Sequence, residues 1–181
     1  MTTQRLTTNA ATIRSAVSVD LPAITAIYAD SVRHGTASFE IEAPGLAEMT
    51  QRYDALHAGG FPYLVAESDG AVVGYAYAGP YRLRPAYRFT VEDSIYLAAG
   101  AQGRGVGRAL LARLIEDSAA RGYRQMIAVI GDSAQLPSIN LHRSLGFAFT
   151  GTLVAVGYKF GRWLDCVLMQ RALGDGANRA P

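Results

Sequence analysis

Apolar positions recur at two spacings along the chain, and each change of spacing marks an element. Residues 11–17 alternate well enough for a first strand. Asp20 is a good N-cap, and Pro22 suits a first helical turn. Ile24, Ile27, Tyr28 and Val32 then follow helical spacing. Pro44 opens a second helix, with Leu46, Met49, Tyr53 and Leu56 on one face, ending near Gly59 and Gly60. Residues 63–66 and 71–78 read as strands joined at Ser68-Asp69-Gly70, a hairpin signal. Residues 89–97 make a further strand. A helix over residues 105–121 is apolar along Val106, Leu110, Leu114 and Ile115, with Gly122 at its C′ position. Residues 125–130 are a buried strand, 138–145 a short helix closed by Gly146, and 147–156 with 163–170 a final hairpin.

Strand, helix and strand around Gly105 imply a parallel crossover, and the hairpins before it imply antiparallel pairing. The expected fold class is therefore α/β of mixed character, a mixed central sheet flanked by helices. At 181 residues, half of them apolar, the chain is long enough to bury one ordinary core. We expect one domain over residues 11–173, with residues 1–10 and 174–181 as flexible termini. The net charge is +2 and the basic residues are scattered arginines, with Lys159 the one lysine. That distribution does not form a nucleic-acid stripe. Cys166 is the sole cysteine, which excludes a disulfide framework or a cysteine-built zinc site within one chain and fits a reducing cytoplasm. His34 and His57 have no ligand partners at useful spacing, so no metal is expected. The first residues lack an apolar signal core, and no apolar run reaches membrane-spanning length.

The chemistry concentrates at Gln102-Gly103-Arg104-Gly105-Val106-Gly107-Arg108, where a strand gives way to a helix. Glycines allow a sharp turn and close approach of a ligand to the main chain. The helix behind them offers unpaired N–H groups and a positive dipole end, which suit a phosphate. Arg104 and Arg108 add charged donors to the same rim. The string is not a P-loop, which needs G-x-x-x-x-G-K-[ST]. Nor is it a dinucleotide fingerprint, because the glycines run G-x-G-x-G and no ribose-binding acid lies about 20 residues on. A glycine-rich turn with no ligand is the plain alternative. One strand earlier, Glu92 and Asp93 interrupt an apolar run and point to opposite faces. A glutamate partly desolvated in a cleft is a reasonable base, because burial raises its pKa. A surface or paired carboxylate is the equal alternative.

Gln102, Gly105 and Gly107 occupy the defining places of Q/R-x-x-G-x-G/A, and the loop resembles the pyrophosphate-binding loop of the GNAT superfamily of N-acetyltransferases. Thr90-Val91-Glu92, Ser138-Ile139-Asn140-Leu141-His142, Leu145-Gly146-Phe147 and Tyr158-Lys159-Phe160-Gly161-Arg162-Trp163 look like its phosphinothricin and methionine sulfoximine acetyltransferase branch. The likeness runs from about Ile13 to Leu173. It implies acetyl-CoA as co-substrate, no metal, a small amino-acid-like amine as acceptor, a homodimer, and a sheet splayed where the coenzyme lies. It implies that Glu92 is the base, that residues 102–108 hold the diphosphate, and that the pantetheine arm pairs with the backbone of Ile95, Tyr96 and Leu97.

His142 stands where many superfamily members have a tyrosine held to protonate the departing thiolate. It assists that transfer, or hydrogen-bonds, or packs a helix. Asn140 binds coenzyme or is an exposed polar residue. Tyr81, Arg82, Tyr87, Arg88 and Thr90 are expected at the acceptor, since arginine's planar fork suits a carboxylate or phosphinate; a solvated loop is the plain reading. Phe39, in Gly35-Thr36-Ala37-Ser38-Phe39-Glu40, walls the acceptor pocket or simply packs. Tyr158, Lys159 and Trp163 are signatures of the branch, better suited to structure or dimer contact than to catalysis. An acetylase of protein N-termini or other amines, and a non-catalytic module that binds acetyl-CoA, are the competing readings.

Overall fold

The computed structural model describes residues 11–180. The expectation for residues 1–10 and for Pro181 lies outside them. Among the described residues, seven strands form one sheet in the order β1-β2-β3-β4-β5-β7-β6. They are β1 (Thr12–Ser15), β2 (Tyr63–Ser68), β3 (Ala71–Pro80), β4 (Thr90–Leu97), β5 (Gln125–Gly131), β6 (Ala148–Lys159) and β7 (Arg162–Ala172). Every neighbouring pair is antiparallel except β4 with β5. That exception is the crossover implied by the helix between them, and the mixed sheet agrees with the pattern of spacings.

Among the described residues, four α-helices cover the two faces: α1 (Leu21–His34), α2 (Leu46–Ala58), α3 (Val106–Ala120) and α4 (Leu136–Ser144). One face packs Leu110, Leu111 and Leu114 of α3 on Val91, Met126 and Met169. The other packs Ile24 and Val32 of α1 and Tyr53 of α2 on Val65 and Tyr75. Helix starts shift where local chemistry differs from expectation. Gly45, not Pro44, is the N-cap of α2. Pro137 sits in the first turn of α4, so that helix begins two residues before Ser138. Asp20 does cap α1 in position, but its side chain makes no cap bond. Its carboxylate instead takes Arg14 at 2.7 and 2.8 Å and the Val17 N–H at 2.9 Å. Beyond β7 the chain turns at residues 174–177, and Asp175 meets Arg124 at 3.4 Å.

The site is positioned by a break in pairing. β4 pairs β3 along its length, from Val91↔Pro80 to Leu97↔Gly74. Its pairing with β5 covers only Thr90↔Gln125 to Asp93↔Ala128. β5 then continues to Gly131 beside β7. Among the described residues, no strand therefore lies beside residues 94–97 of β4 on that side. A wedge opens between the two strand ends, pointing toward the turn that leads into α3.

Candidate active site

Alternation along β4 sends Val91, Asp93, Ile95 and Leu97 toward α3 and α4, and Glu92, Ser94 and Tyr96 toward α1. The wedge lets both sets border open space. One cavity, of about 320 Å³, is lined by Glu92, Asp93, Ser94, Ile95 and Tyr96 on one side and residues 128–131 of β5 on the other. Phe39, Tyr77, Ser138, His142 and Cys166 complete its walls. A second, of about 610 Å³, runs from Ile95, Tyr96 and Leu97 to Gln102, Gly103, Gly105, Gly107 and Arg108. The two share Ala37, Ile95, Tyr96, Gln135 and Ser138, so they form one continuous groove along the unpaired edge of β4.

The glycine turn leaves backbone N–H groups free at a helix start. Gly103 and Gly105 have φ of 71° and 82°, a region that side-chain-bearing residues rarely adopt. Gly105 is the N-cap of α3, and the first helical bond runs from the Ala109 N–H to the Gly105 carbonyl. The N–H groups of Val106, Gly107 and Arg108 are thus left without intrahelical acceptors. Arg108 stands on the rim with its guanidinium on Ser144 Oγ at 2.7 Å, tying α3 to α4. Arg104 is exposed and does not line the groove, and Val106 turns its side chain into the core.

Glu92 is half-buried, and among the described residues no hydrogen bond holds its carboxylate. Burial raises its pKa above the ordinary glutamate value, the neighbouring Asp93 charge raises it further, and Arg82 pulls it down. A carboxylate so placed is a stronger proton acceptor than one in water. Asp93 is buried on the opposite face and accepts from His142 Nε2 at 3.0 Å. The other ring nitrogen, Nδ1, donates to the Ser138 carbonyl at 2.7 Å. A carbonyl only accepts, so Nδ1 carries a proton. Burial opposes charge on the ring, but Asp93 and Ser138 outweigh it and the His142 pKa lies above its ordinary value. Both nitrogens are engaged within the protein, and the ring is only 2% exposed. Asp93 Oδ1 is buried with no hydrogen-bond partner among the described residues.

The other expected residues are scattered. Asn140 is exposed and accepts from Arg143 at 3.3 Å. Arg82 stacks over Tyr81, Arg88 over Phe89, and Tyr81 meets Tyr87 edge-on. None of Tyr81, Arg82, Tyr87, Arg88 and Thr90 lines the cavity, and Arg82 is near enough to act on Glu92. Gln135 and Cys166, which do line it, carried no site signal in the sequence, and Ser138 stood there only as the first residue of the Ser138-to-His142 string. Among the described residues no group of three or more His, Cys, Asp or Glu could hold a metal ion, and no helix is long and apolar enough to cross a membrane.

Comparison with known proteins agrees with this geometry. Residues 24–147 match the acetyltransferase (GNAT) family. The chain is 54% identical over 172 residues to the phosphinothricin N-acetyltransferase of Alcaligenes faecalis, covering 95% of this chain and 87% of that one. It is 42% identical over 166 residues to the L-methionine sulfoximine/L-methionine sulfone acetyltransferase of Salmonella typhimurium, covering 92% and 96%. Among solved structures, the phosphinothricin acetyltransferase of Sinorhizobium meliloti in complex with AcCoA superposes with a TM-score of 0.93 at 51% identity, over 96% of this chain and 94% of that one.

Proposed function

The chain belongs to the acetyltransferase (GNAT) family, and on that premise we propose that it transfers acetyl from acetyl-CoA to the amine of a small amino-acid analogue, of the phosphinothricin or methionine sulfoximine/sulfone kind. The observation that carries this reading is the continuous groove from the glycine turn to Glu92 along the unpaired edge of β4. Acetyl-CoA fits it. The first-turn N–H groups of α3, with Gln102, Gly103 and Arg108 around them, take the diphosphate. The backbone of residues 95–97 takes the amide-bearing arm as a further strand would.

The acetyl donor brings an activated acyl carbon, and the protein's own part is alignment and proton removal. Near pH 7 the acceptor amine is mostly ammonium, since even a peptide's α-amino group has a reference pKa of about 7.7–8.0. Glu92 accepts its proton, directly or through a water, and its raised pKa matches that task. Arg82 and Arg88 meet the acceptor's acidic group, and Phe39 walls its side chain. His142 holds Asp93 and is held by it, a hydrogen-bonding role in preference to direct proton donation. The test follows thiol release from acetyl-CoA over phosphinothricin, methionine sulfoximine, methionine sulfone, polyamines and peptides. Turnover is expected with the amino-acid analogues. Release with peptides alone, or with no acceptor, would refute the assignment.

We propose further that the chain works as a homodimer. Val154, Val156, Tyr158, Phe160 and Trp163 leave large apolar side chains exposed on the β6–β7 hairpin, where β6 is the sheet's edge, with Trp163 64% exposed. Sedimentation at micromolar concentration should read about twice the 19.3 kDa chain mass. A single monomeric boundary would remove the proposal.

A further inference from the structure

Lys159, the one lysine of the sequence, is only 4% exposed. Its Nζ donates to the Gly35 carbonyl at 2.9 Å and the Ser38 carbonyl at 2.8 Å. Among the described residues it makes no ion pair. A buried amine without a carboxylate is unfavourable unless its donors are spent on good acceptors. Here both known acceptors belong to one short segment, and that segment forms a wall of the acceptor cavity.

Residues 35–39 run between α1 and α2 in neither helix nor strand. They are tied at several points. Thr36 Oγ1 donates to Asp132 at 3.0 Å and accepts from Gln135 at 3.0 Å. Ser38 Oγ meets Tyr28 Oη at 2.9 Å. Phe39 then lays its ring across two glycines of the sheet. A Cβ on Gly131 would stand 2.8 Å from Phe39 Cε1, and one on Gly157 would stand 2.4 Å from Cε2. Both positions must be bare for the ring to lie there. The segment is therefore a fastened wall, with Lys159 reaching from the end of β6 to clasp both sides of the turn that presents Phe39.

We propose that Lys159 is a positioning residue for the acceptor: acting through the Gly35 and Ser38 carbonyls, it fixes Phe39 against Gly131 and Gly157 and so sets which acceptor side chains the cavity admits. The proposal rests on the acetyl-transfer reading above. It predicts a defect larger for the acceptor than for acetyl-CoA, because Ser38 and Phe39 line the first cavity alone, while Gly35 and Ala37 border the second without reaching the glycine turn. In Lys159→Met, which keeps the apolar stem and loses the donors, the acceptor KM should rise roughly tenfold. The acetyl-CoA KM and kcat should stay within about twofold, and discrimination between short and long acceptors should narrow. Lys159→Arg, which keeps donors, should restore part of that discrimination. Unchanged acceptor KM and discrimination, or an equal rise in both KM values, would overturn the proposal.

Hydrogen exchange supplies a readout independent of turnover. Amides of residues 35–39 should exchange faster in Lys159→Met while those of β5 do not, and equal protection of the segment in both proteins would overturn the clasp. If the wild-type protein acetylates no acceptor, the enzymatic reading fails while this arm still reports on Lys159. Should Lys159→Met not fold, Gly157→Ala moves the same ring from the opposite side. It must change acceptor KM and leave acetyl-CoA KM alone, and an unchanged acceptor KM there would also overturn the proposal.

Discussion

Glu92→Gln should lower kcat by about 10²- to 10⁴-fold, the usual contribution of a placed general base. Acetyl-CoA affinity should be unchanged. Glutamine keeps the size and hydrogen-bonding reach of the side chain but cannot take a proton at neutral pH, so the change isolates the chemistry from the shape. The pH dependence sharpens the test. Burial and the Asp93 charge raise the Glu92 pKa, so the acid limb of the wild-type rate should lie above the ordinary glutamate value. Activity falls as pH drops through that limb because the base fills with a proton. In Glu92→Gln the limb should vanish and the residual rate should follow the acceptor amine alone. Isothermal titration with acetyl-CoA should show the same affinity in both proteins. Turnover within about threefold of wild type would take Glu92 out of the mechanism.

The placement of Glu92 was legible because β4 obeys the strand period closely. Neighbours on such a strand must face opposite ways, and that alone separates Glu92 from Asp93. The long-period elements were equally plain, since Leu110, Leu114 and Ile115 leave α3 one apolar face, and the structure buries it. What the pattern could not supply was the point at which β4 and β5 stop pairing. Residues 94–97 are as strand-like as residues 90–93, and their exposure to a groove follows from the divergence of two strands joined through α3.

The same limit applies to the cavity's far wall. Phe39, the start of α4 with Gln135 and Ser138, and Cys166 of β7 come from three separate places in the chain, brought together only by packing. The glycine turn, by contrast, is local: two positive-φ positions and a helix start lie within a few residues, so its character shows in the string itself. Tyr81, Arg82, Tyr87 and Arg88 read as one acceptor-binding patch, and the two arginines lie over neighbouring rings. Their contribution depends on how an acceptor approaches, which no spacing rule encodes.

Asp93 is the residue for which packing adds most, and its replacement should have the largest effect on stability. Asp93→Asn breaks a buried pair, a change that typically costs about 3–5 kcal/mol because the remaining group stays desolvated. The sign of the pH dependence distinguishes this from simple loss of fit. In the wild-type protein the His142 pKa is raised above its ordinary value of 6.5. The pair therefore stabilises fully below that value, and its contribution is lost as pH rises through the higher folded pKa. In Asp93→Asn the opposing carboxylate is gone and burial dominates, so the ring's pKa falls below the unfolded value. Protonation then favours the unfolded chain, and the variant should lose stability as pH falls through the same window. Urea midpoints taken from about pH 5 to 9 should slope in opposite directions for the two proteins. His142→Gln, which cannot charge at all, should flatten the slope. Parallel slopes in wild type and Asp93→Asn would mean that the imidazole is uncharged in the folded wild-type protein, and that the contact between β4 and α4 is held by shape alone.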